Sequence, residues 1–171
     1  MQLSGERRTV TVELTPAARE EQPIVANLIE LYAHDFSEFR PLRIGDDGRF
    51  GYDPLPLYWQ EPNRFPFLVR NDGLAGFVLV KRGSEVSGDE RVWDMAEMFI
   101  VRGQRRRGVA TQVVHQVWRR FPGPWEVRVI DANAAALPFW TRAIAGHVGR
   151  DVLPTRFERS GKVWNVFAFD A

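Results

Sequence analysis

Residues 97–111 constrain the fold of this chain more than any other stretch, because they join a predicted strand to a predicted helix through a basic turn. Residues 98–101 form a short apolar run, and apolar residues recur at helical spacing from Val109 onward. The turn contains two glycines and four arginines: Arg102, Gly103, Arg105, Arg106, Arg107 and Gly108. Glycines let a ligand approach the backbone, and unpaired N–H groups at a helix N-terminus attract anions. The turn is therefore predicted to bind a phosphate or a pyrophosphate.

An arginine run with two glycines also fits a solvated surface turn, which is the structural alternative to an anion site. Gly103 and Gly108 stand five residues apart, as in a P-loop. However, Val109 and Ala110 occupy the positions of the lysine and the serine or threonine that hold nucleotide phosphates and magnesium. The chain therefore lacks the parts needed for nucleotide hydrolysis.

Residues 105–110, Arg-Arg-Arg-Gly-Val-Ala, resemble the Gln/Arg-x-x-Gly-x-Gly/Ala signature of the GNAT superfamily of N-acetyltransferases. The context supports the resemblance, since a strand with Glu97 precedes the signature and an Asn-x-x-Ala-x-x-Phe-Trp segment, residues 133–140, follows it. The resemblance covers residues 90–146 well and the remainder in outline. It implies one α/β (α+β) domain over residues 1–171, with a mixed, mostly antiparallel sheet of about seven strands and about four flanking helices. It also implies a ligand groove between the strands that end at Val101 and Ile130.

The resemblance further implies acetyl-CoA as co-substrate. Its pyrophosphate would be held by the backbone amides of residues 105–110, and its pantetheine arm would pair with the strand edge at residues 99–101. Asn133 suits a helix cap by residue type alone, and the resemblance adds a contact with CoA. The complete set of predicted cofactor-binding residues is Phe99, Ile100, Val101, Arg105, Arg106, Arg107, Gly108, Val109, Ala110, Thr111, Asn133, Phe139 and Trp140.

Trp140 departs from the family pattern, in which a tyrosine at this position protonates the departing CoA thiolate. An indole N–H donates a hydrogen bond but is not a useful acid. Water can reprotonate a thiolate at modest cost because thiol pKa values lie near about 8.5. We therefore expect that the chain needs no tyrosine as the acid. The alternative is that a tyrosine reaches in from the acceptor side, and the candidates are Tyr32, Tyr52 and Tyr58.

Glu97 is the predicted catalytic residue. Regular alternation would place it between Met95 and Phe99 on one face of a buried strand, where an unpaired carboxylate is costly. The residues alone leave two interpretations open: an ion pair with an arginine of the adjacent loop, or a general base whose pKa is raised by apolar walls. The resemblance favours the base, because a glutamate on this strand has that role in many members of the superfamily.

The acceptor is predicted to be a primary amine of a small molecule or a peptide. The region between Tyr32 and Tyr58 would shape its pocket but carries no motif. Its aromatic and acidic residues would suit a cationic amine, and a plain surface connection is the alternative. The predicted substrate contacts are Tyr32, Asp35 and Glu38.

The composition excludes several other functions. The chain has no cysteine, which rules out a cysteine acyl-enzyme, so acyl transfer must be direct or must use another nucleophile. We expect direct attack in a ternary complex. Its three histidines, His34, His115 and His147, lack metal-ligand spacing, so we expect no metal site. The net charge of +1 argues against bulk nucleic-acid binding, and no apolar run approaches the ~20 residues of a membrane helix. We expect a soluble cytoplasmic protein, and whether it is a monomer or a homodimer stays open.

Two other functional interpretations remain from the sequence. In the first, the domain is a non-catalytic acyl-CoA-binding sensor or partner-binding module. The loss of the tyrosine favours this interpretation, and the presence of Glu97 argues against it. Alternatively, the arginine loop would contact RNA phosphates, which predicts strong salt dependence and no preference for CoA over polyphosphate.

Apolar periodicity and turn residues predict the order of the elements along the chain. Helices are predicted from Pro23 to near His34 and over residues 35–39, 109–121 and 133–146, with Pro138 marking either a kink or a late start in the last one. Strands are predicted over residues 7–14, 65–70, 74–81, 91–101, 125–130, 155–158 and 163–169.

Overall fold

The computed structural model describes residues 11–171, so residues 7–10 of the predicted first strand lie outside the described part of the chain. The seven strands are β1 (Glu13–Pro16), β2 (Arg64–Arg70), β3 (Leu74–Arg82), β4 (Trp93–Ile100), β5 (Pro124–Ile130), β6 (Thr155–Arg159) and β7 (Lys162–Asp170). The α-helices are α1 (Gln22–Phe36), α2 (Val109–Arg120) and α3 (Leu137–Val148). Short 3-10 helices span Arg19–Glu21, Leu55–Trp59, Arg102–Gln104 and Asp131–Ala136.

The strands form one sheet in the order β1-β2-β3-β4-β5-β7-β6, and every neighbouring pair is antiparallel except β4 and β5. The two parallel strands pair only at Trp93 with Trp125 and at Asp94 with Glu126. Beyond these positions they diverge and leave an opening in the middle of the sheet. The predicted mixed, mostly antiparallel sheet of seven strands is confirmed.

Two apolar cores lie on opposite faces of the sheet, because successive side chains of a strand point to opposite sides. Residues of α2 and α3, among them Val113, Trp118 and Ile144, pack on one face. The opposite face packs against α1 and the 3-10 helix Leu55–Trp59. The central strands are therefore covered on both sides, which explains their nearly continuous apolar sequence.

The described chain has three α-helices rather than about four, because the separate helix predicted over residues 35–39 does not form. Instead α1 continues through Phe36 and is followed by a turn. No glycine or proline lies between Pro23 and Phe36. The Phe36 ring packs on Tyr32 one helical turn earlier, with centroids 5.3 Å apart. The Ser37 hydroxyl then donates to the His34 carbonyl and closes the last turn.

Pro138 marks a late start of the last helix, α3, and not a kink within it. The helix starts at Leu137 with the proline in its first turn, where the missing N–H costs nothing. Asn133 lies earlier, in a 3-10 segment, with φ −97° and ψ 48°, so the prediction that it caps this helix is wrong. The helix also extends past Gly146 to Val148 and ends at Gly149, which adopts a left-handed conformation with φ 75°.

None of the helices in residues 11–171 has both the length and the apolar character that crossing a membrane requires.

Candidate active site

A cavity of about 700 Å³ opens where β4 and β5 diverge. Its walls come from α1 and the segment after it, from the facing parts of both strands, and from the start of α3. The predicted site residues that line it are Tyr32, Asp35, Glu38, Glu97, Phe99, Ile100, Arg105, Asn133, Phe139 and Trp140. The remaining predicted residues, Val101, Arg106, Arg107, Gly108, Val109, Ala110 and Thr111, form the adjoining loop and the first turn of α2.

A β-bulge determines where the Glu97 side chain points. In the pairing of β3 with β4, Leu79 faces Glu97 and Val80 faces Met95, so Ala96 is an extra residue on β4. Met95 packs in the core under α2 and α3, whereas Phe99 packs in the core under α1. The prediction that Met95, Glu97 and Phe99 share one face is therefore wrong, because the extra residue interrupts the alternation.

Two tyrosines hold the Glu97 carboxylate. The Tyr32 hydroxyl donates to Oε2 at 2.5 Å, and the Tyr52 hydroxyl donates to Oε1 at 3.1 Å. Burial raises the pKa of Glu97 above its ordinary value, and the two hydrogen bonds oppose this rise without cancelling it. Burial together with the nearby carboxylate raises the pKa of both tyrosines, so both hydroxyls stay protonated as donors. Glu97 is thus a half-buried carboxylate whose proton affinity is increased.

The arginines of the loop after β4 pair with Asp35 rather than with Glu97. Arg102 Nη2 lies 2.8 Å from Asp35 Oδ1, and Arg105 Nη2 lies 2.7 Å from Oδ2. Burial alone would raise the pKa of Asp35, but the two guanidinium groups lower it below its ordinary value. No ion pair to Glu97 is present within residues 11–171, so the structural interpretation of Glu97 as a loop-arginine partner is wrong.

The loop before α2 has the backbone geometry of an anion site. Arg106 and Gly108 adopt left-handed conformations with φ 61° and 76°, and α2 begins directly after them at Val109. Among the described residues, none accepts a hydrogen bond from the N–H groups of residues 106–111. These groups, at the positive end of the helix dipole, can donate to phosphate oxygens.

Arg105 differs from the other predicted phosphate-binding residues. Its amide N–H already donates to the Arg102 carbonyl at 3.1 Å, so it is not free for a ligand. Its side chain is held as well, since Nε donates to the Ile100 carbonyl at 2.7 Å in addition to the ion pair with Asp35. The amides available to an anion therefore start one residue later than predicted.

The aromatic pair at the start of α3 lies beside the opening of the sheet. Phe139 and Trp140 meet edge to face, with ring centroids 5.0 Å apart, and both line the cavity with Asn133. Tyr58 lies elsewhere, because it is buried under α1 and does not line the cavity. Within the described chain its hydroxyl has no hydrogen-bond partner, whereas those of Tyr32 and Tyr52 are bound to Glu97.

Four arginines that line the cavity were not among the predicted site residues, and one of them, Arg128 on β5, carried a recognisable signal. Its Nη2 donates to Asp94 Oδ2 at 2.7 Å, and its side chain lines the cavity. An arginine inside a strand that otherwise looks buried was a usable signal, since buried charges require partners. Asp94, only 1% exposed, is that partner, and Lys81 Nζ lies 3.7 Å from the same oxygen.

Within residues 11–171, no three or more His, Cys, Asp or Glu side chains are grouped so that they could hold a metal ion.

The fold is shared with several solved acetyltransferase structures. One, from Thermus thermophilus, has a TM-score of 0.70 at 14% identity, over 95% of this chain and 98% of that chain. NAA60 from Arabidopsis thaliana in complex with acetyl-CoA has a TM-score of 0.62 at 16% identity, over 94% and 98%. Spermidine N-acetyltransferase from Vibrio cholerae, in complex with CoA and spermine, has a TM-score of 0.60 at 14% identity, over 93% and 95%.

No curated protein matches the chain in sequence. The family described as the acetyltransferase (GNAT) family matches residues 25–145, which is well over half of the chain. The strand, the glycine loop and the helix start that suggested this family all lie inside that range. The chain belongs to the acetyltransferase (GNAT) family.

Proposed function

We propose that the protein transfers the acetyl group of acetyl-CoA to a primary amine of a small molecule or a peptide, by direct attack in a ternary complex. The observation that carries this proposal is the position of Glu97. Its half-buried carboxylate, held by Tyr32 and Tyr52, faces the cavity at the point where β4 and β5 diverge. Structural neighbours in complex with acetyl-CoA, and with CoA and spermine, support the nature of the two substrates.

Acetyl-CoA is expected to lie in the opening between β4 and β5, with its pyrophosphate on the free amides of residues 106–111. Pairing of β4 with β5 ends at Asp94, so the later part of β4 has no partner strand on that edge, and the pantetheine arm would pair there at residues 99–101. The Ile100 carbonyl in this stretch also accepts from Arg105 Nε. Asn133, Phe139 and Trp140 line the facing wall. This arrangement brings the thioester close to the part of the cavity that contains Glu97.

In the reaction, the amine nitrogen attacks the carbonyl carbon of the thioester, a new C–N bond forms, and the C–S bond breaks. CoA leaves as a thiolate, which water reprotonates. The nitrogen gives up its extra proton to Glu97, directly or through a water molecule. A carboxylate with a raised pKa suits this role, because a base works best when its pKa lies near the working pH. The chain has no cysteine that could carry the acetyl group in a covalent intermediate.

The test is to replace Glu97 by glutamine and to measure thiol release from acetyl-CoA over a panel of amines and peptides. Glu97→Gln keeps the shape but loses the proton acceptor, so kcat/KM should fall on the order of 10²–10⁴-fold. Acetyl-CoA binding should persist, and the acidic limb of the pH profile should disappear. The absence of cysteine means that the protein contributes no background thiol.

Glu126→Gln is the matched control, because Glu126 is a buried, hydrogen-bonded carboxylate that is held by Ser84 outside the cavity. This variant should keep both the rate and the pH profile. An unchanged profile in Glu97→Gln would return Glu97 to a structural role.

The replacement of the family tyrosine by Trp140 favours a second candidate, a module that binds acyl-CoA without catalysis. This candidate predicts a melting-temperature increase with acetyl-CoA but no thiol release with any acceptor in the panel.

A further inference from the structure

The charge of the cavity does not match a simple cationic amine. Among the described residues, five arginines and three carboxylates line it. Asp35 is already paired with Arg102 and Arg105. Arg128 is likewise bound to Asp94. The cavity-lining charged side chains that form no ion pair within the described chain are Glu38, Arg40, Arg43 and Glu97. Since Glu97 acts on the amine itself, two arginines and one glutamate remain to face an acceptor.

Arg40 and Arg43 lie on the segment that follows α1, and neither forms an ion pair with any residue from 11 to 171. Arg40 lines the cavity together with Tyr32, whose hydroxyl binds Glu97. An arginine without a partner beside a cavity is available to an anionic group of a ligand.

Arg128 lines the same cavity from the strand side. Val127 and Val129 belong to the core under α2 and α3, so Arg128 between them points to the opposite face, towards α1. Its Nη2 is bound to Asp94. The side chain is nevertheless 22% exposed at the cavity, so its planar guanidinium group can also pair with a ligand carboxylate.

We propose that the acceptor is an amine that also carries a carboxylate, such as a free amino acid, with its amine at Glu97 and its carboxylate held by Arg128 and Arg40. This proposal rests on the acetyl-transfer function proposed above and narrows its acceptor. Aromatic side chains complete the walls around these groups, which suits an apolar substituent: Phe36, Phe39, Phe50 and Trp164. Phenylalanine is therefore a suitable probe.

The experiment compares phenylalanine with phenylalaninamide in the thiol-release assay. The amide lacks the carboxylate, and its amine is less basic, with a pKa near the about 7.7–8.0 of a peptide α-amino group. It thus offers more free amine at neutral pH, and intrinsic reactivity favours the amide. We expect kcat/KM to be at least about tenfold higher for phenylalanine than for the amide. One charge-assisted hydrogen bond to the carboxylate is enough to account for this factor. A preference for the amide would overturn the proposal.

Two variants assign the effect to the arginines. Arg40→Gln and Arg128→Gln should each raise KM for phenylalanine by about tenfold or more while changing KM for the amide little. Arg150→Gln is the control, since Arg150 is exposed and lies outside the cavity. Arg128→Gln also removes a partner of buried Asp94, so circular dichroism must show that it folds. If Arg128→Gln does not fold, the test uses Arg40→Gln alone.

The outcomes separate this proposal from the proposed function. If the arginine variants raise KM for acetyl-CoA instead, these side chains bind CoA phosphates and the proposal is wrong. If amines without a carboxylate are acetylated as well as amino acids are, the acetyl-transfer function is supported but the proposed carboxylate preference is wrong. If no acceptor releases thiol, the proposed function itself fails.

Discussion

At the scale of single residues, the site depends on two opposing effects on the pKa of Glu97. Apolar surroundings raise the pKa of its carboxyl, and hydroxyl groups from Tyr32 and Tyr52 stabilise the charged form. A base is useful only while it is deprotonated, so these hydroxyls extend activity to lower pH. The balance comes from side chains 65 and 45 residues away in sequence.

We expect Tyr32→Phe and Tyr52→Phe to move the acidic limb of the kcat/KM profile to higher pH. Each change removes a donor to the carboxylate, so the pKa of Glu97 rises further and the base is lost at a higher pH. The shift should be larger for Tyr32, whose hydrogen bond is 2.5 Å against 3.1 Å for Tyr52. Initial rates measured across pH provide the test.

Tyr58→Phe is the control for this prediction, because the Tyr58 hydroxyl makes no hydrogen bond within the described residues. In all three variants, activity should recover on the alkaline side of the limb. A large loss of turnover at every pH, with acetyl-CoA affinity intact, would instead identify the altered tyrosine as the required acid.

At the scale of elements, the loop and the first turn of α2 together form the proposed anion site. Gly108 immediately precedes the helix in a left-handed conformation, and its carbonyl accepts the Gln112 N–H. The N–H groups of residues 109–111 are free because they lie in the first helical turn, where no carbonyl precedes them in the helix. The left-handed conformation at residue 108 favours glycine, because a Cβ in the left-handed region costs roughly 1–2 kcal/mol.

We expect acetyl-CoA to raise the melting temperature of the parent protein and Gly108→Val to abolish this increase. The valine blocks close approach of the pyrophosphate and disfavours φ 76°. Gly149→Val is the matched control, since Gly149 has φ 75° at the end of α3, away from the loop. Both variants should lose comparable stability, but Gly149→Val should keep the ligand-induced increase. Equal acetyl-CoA binding by Gly108→Val and the parent would show that the phosphate assignment is wrong.

The first turn of α3 presents Trp140 to the groove, in the position of the family tyrosine. We expect Trp140→Tyr to raise kcat, because a phenol of pKa about 10 can protonate the thiolate. Trp140→Phe should raise KM for acetyl-CoA more than it lowers kcat, since the indole contributes packing rather than acid catalysis. Steady-state kinetics separate the two effects. Loss of kcat in Trp140→Phe would show that the indole N–H takes part in the reaction.

At the scale of the whole molecule, the sheet positions the site through the close approach of β3 to β4. Gly76 pairs with Ile100, and a Cβ added to Gly76 would lie 2.0 Å from the Phe99 carbonyl oxygen. No side chain can be accommodated there while the two strands keep their spacing. The end of β4 that borders the cavity therefore depends on a glycine in the neighbouring strand.

We expect Gly76→Ala to lower the free energy of unfolding by about 1–3 kcal/mol or more, because the added methyl group forces β3 and β4 apart. Urea denaturation measures the change. Gly103→Ala is the control, as nothing lies within 4 Å of its added Cβ. It should leave stability unchanged or raise it by up to about 1 kcal/mol. Equal stability of Gly76→Ala and the parent would contradict the close approach.

Local sequence patterns were sufficient to predict most secondary-structure elements and the position of the loop before α2. Periodic apolar residues predicted the strands and α2, and the strand, glycine turn and helix start located the free amides. The same patterns placed Glu97 in a buried strand beside that turn. These features could be predicted because helix and strand periodicity and glycine conformation depend on neighbouring residues alone.

The pairing of the charged groups became visible only in the three-dimensional structure. The bulge at Ala96 arises from the register of β4 against β3, and it determines the face on which Glu97 lies. The docking of α1 joins Asp35 to Arg102 and Tyr32 to Glu97. Such contacts join residues about 65 positions apart. No local pattern encodes them, because they depend on strand register and helix packing that the whole chain sets together.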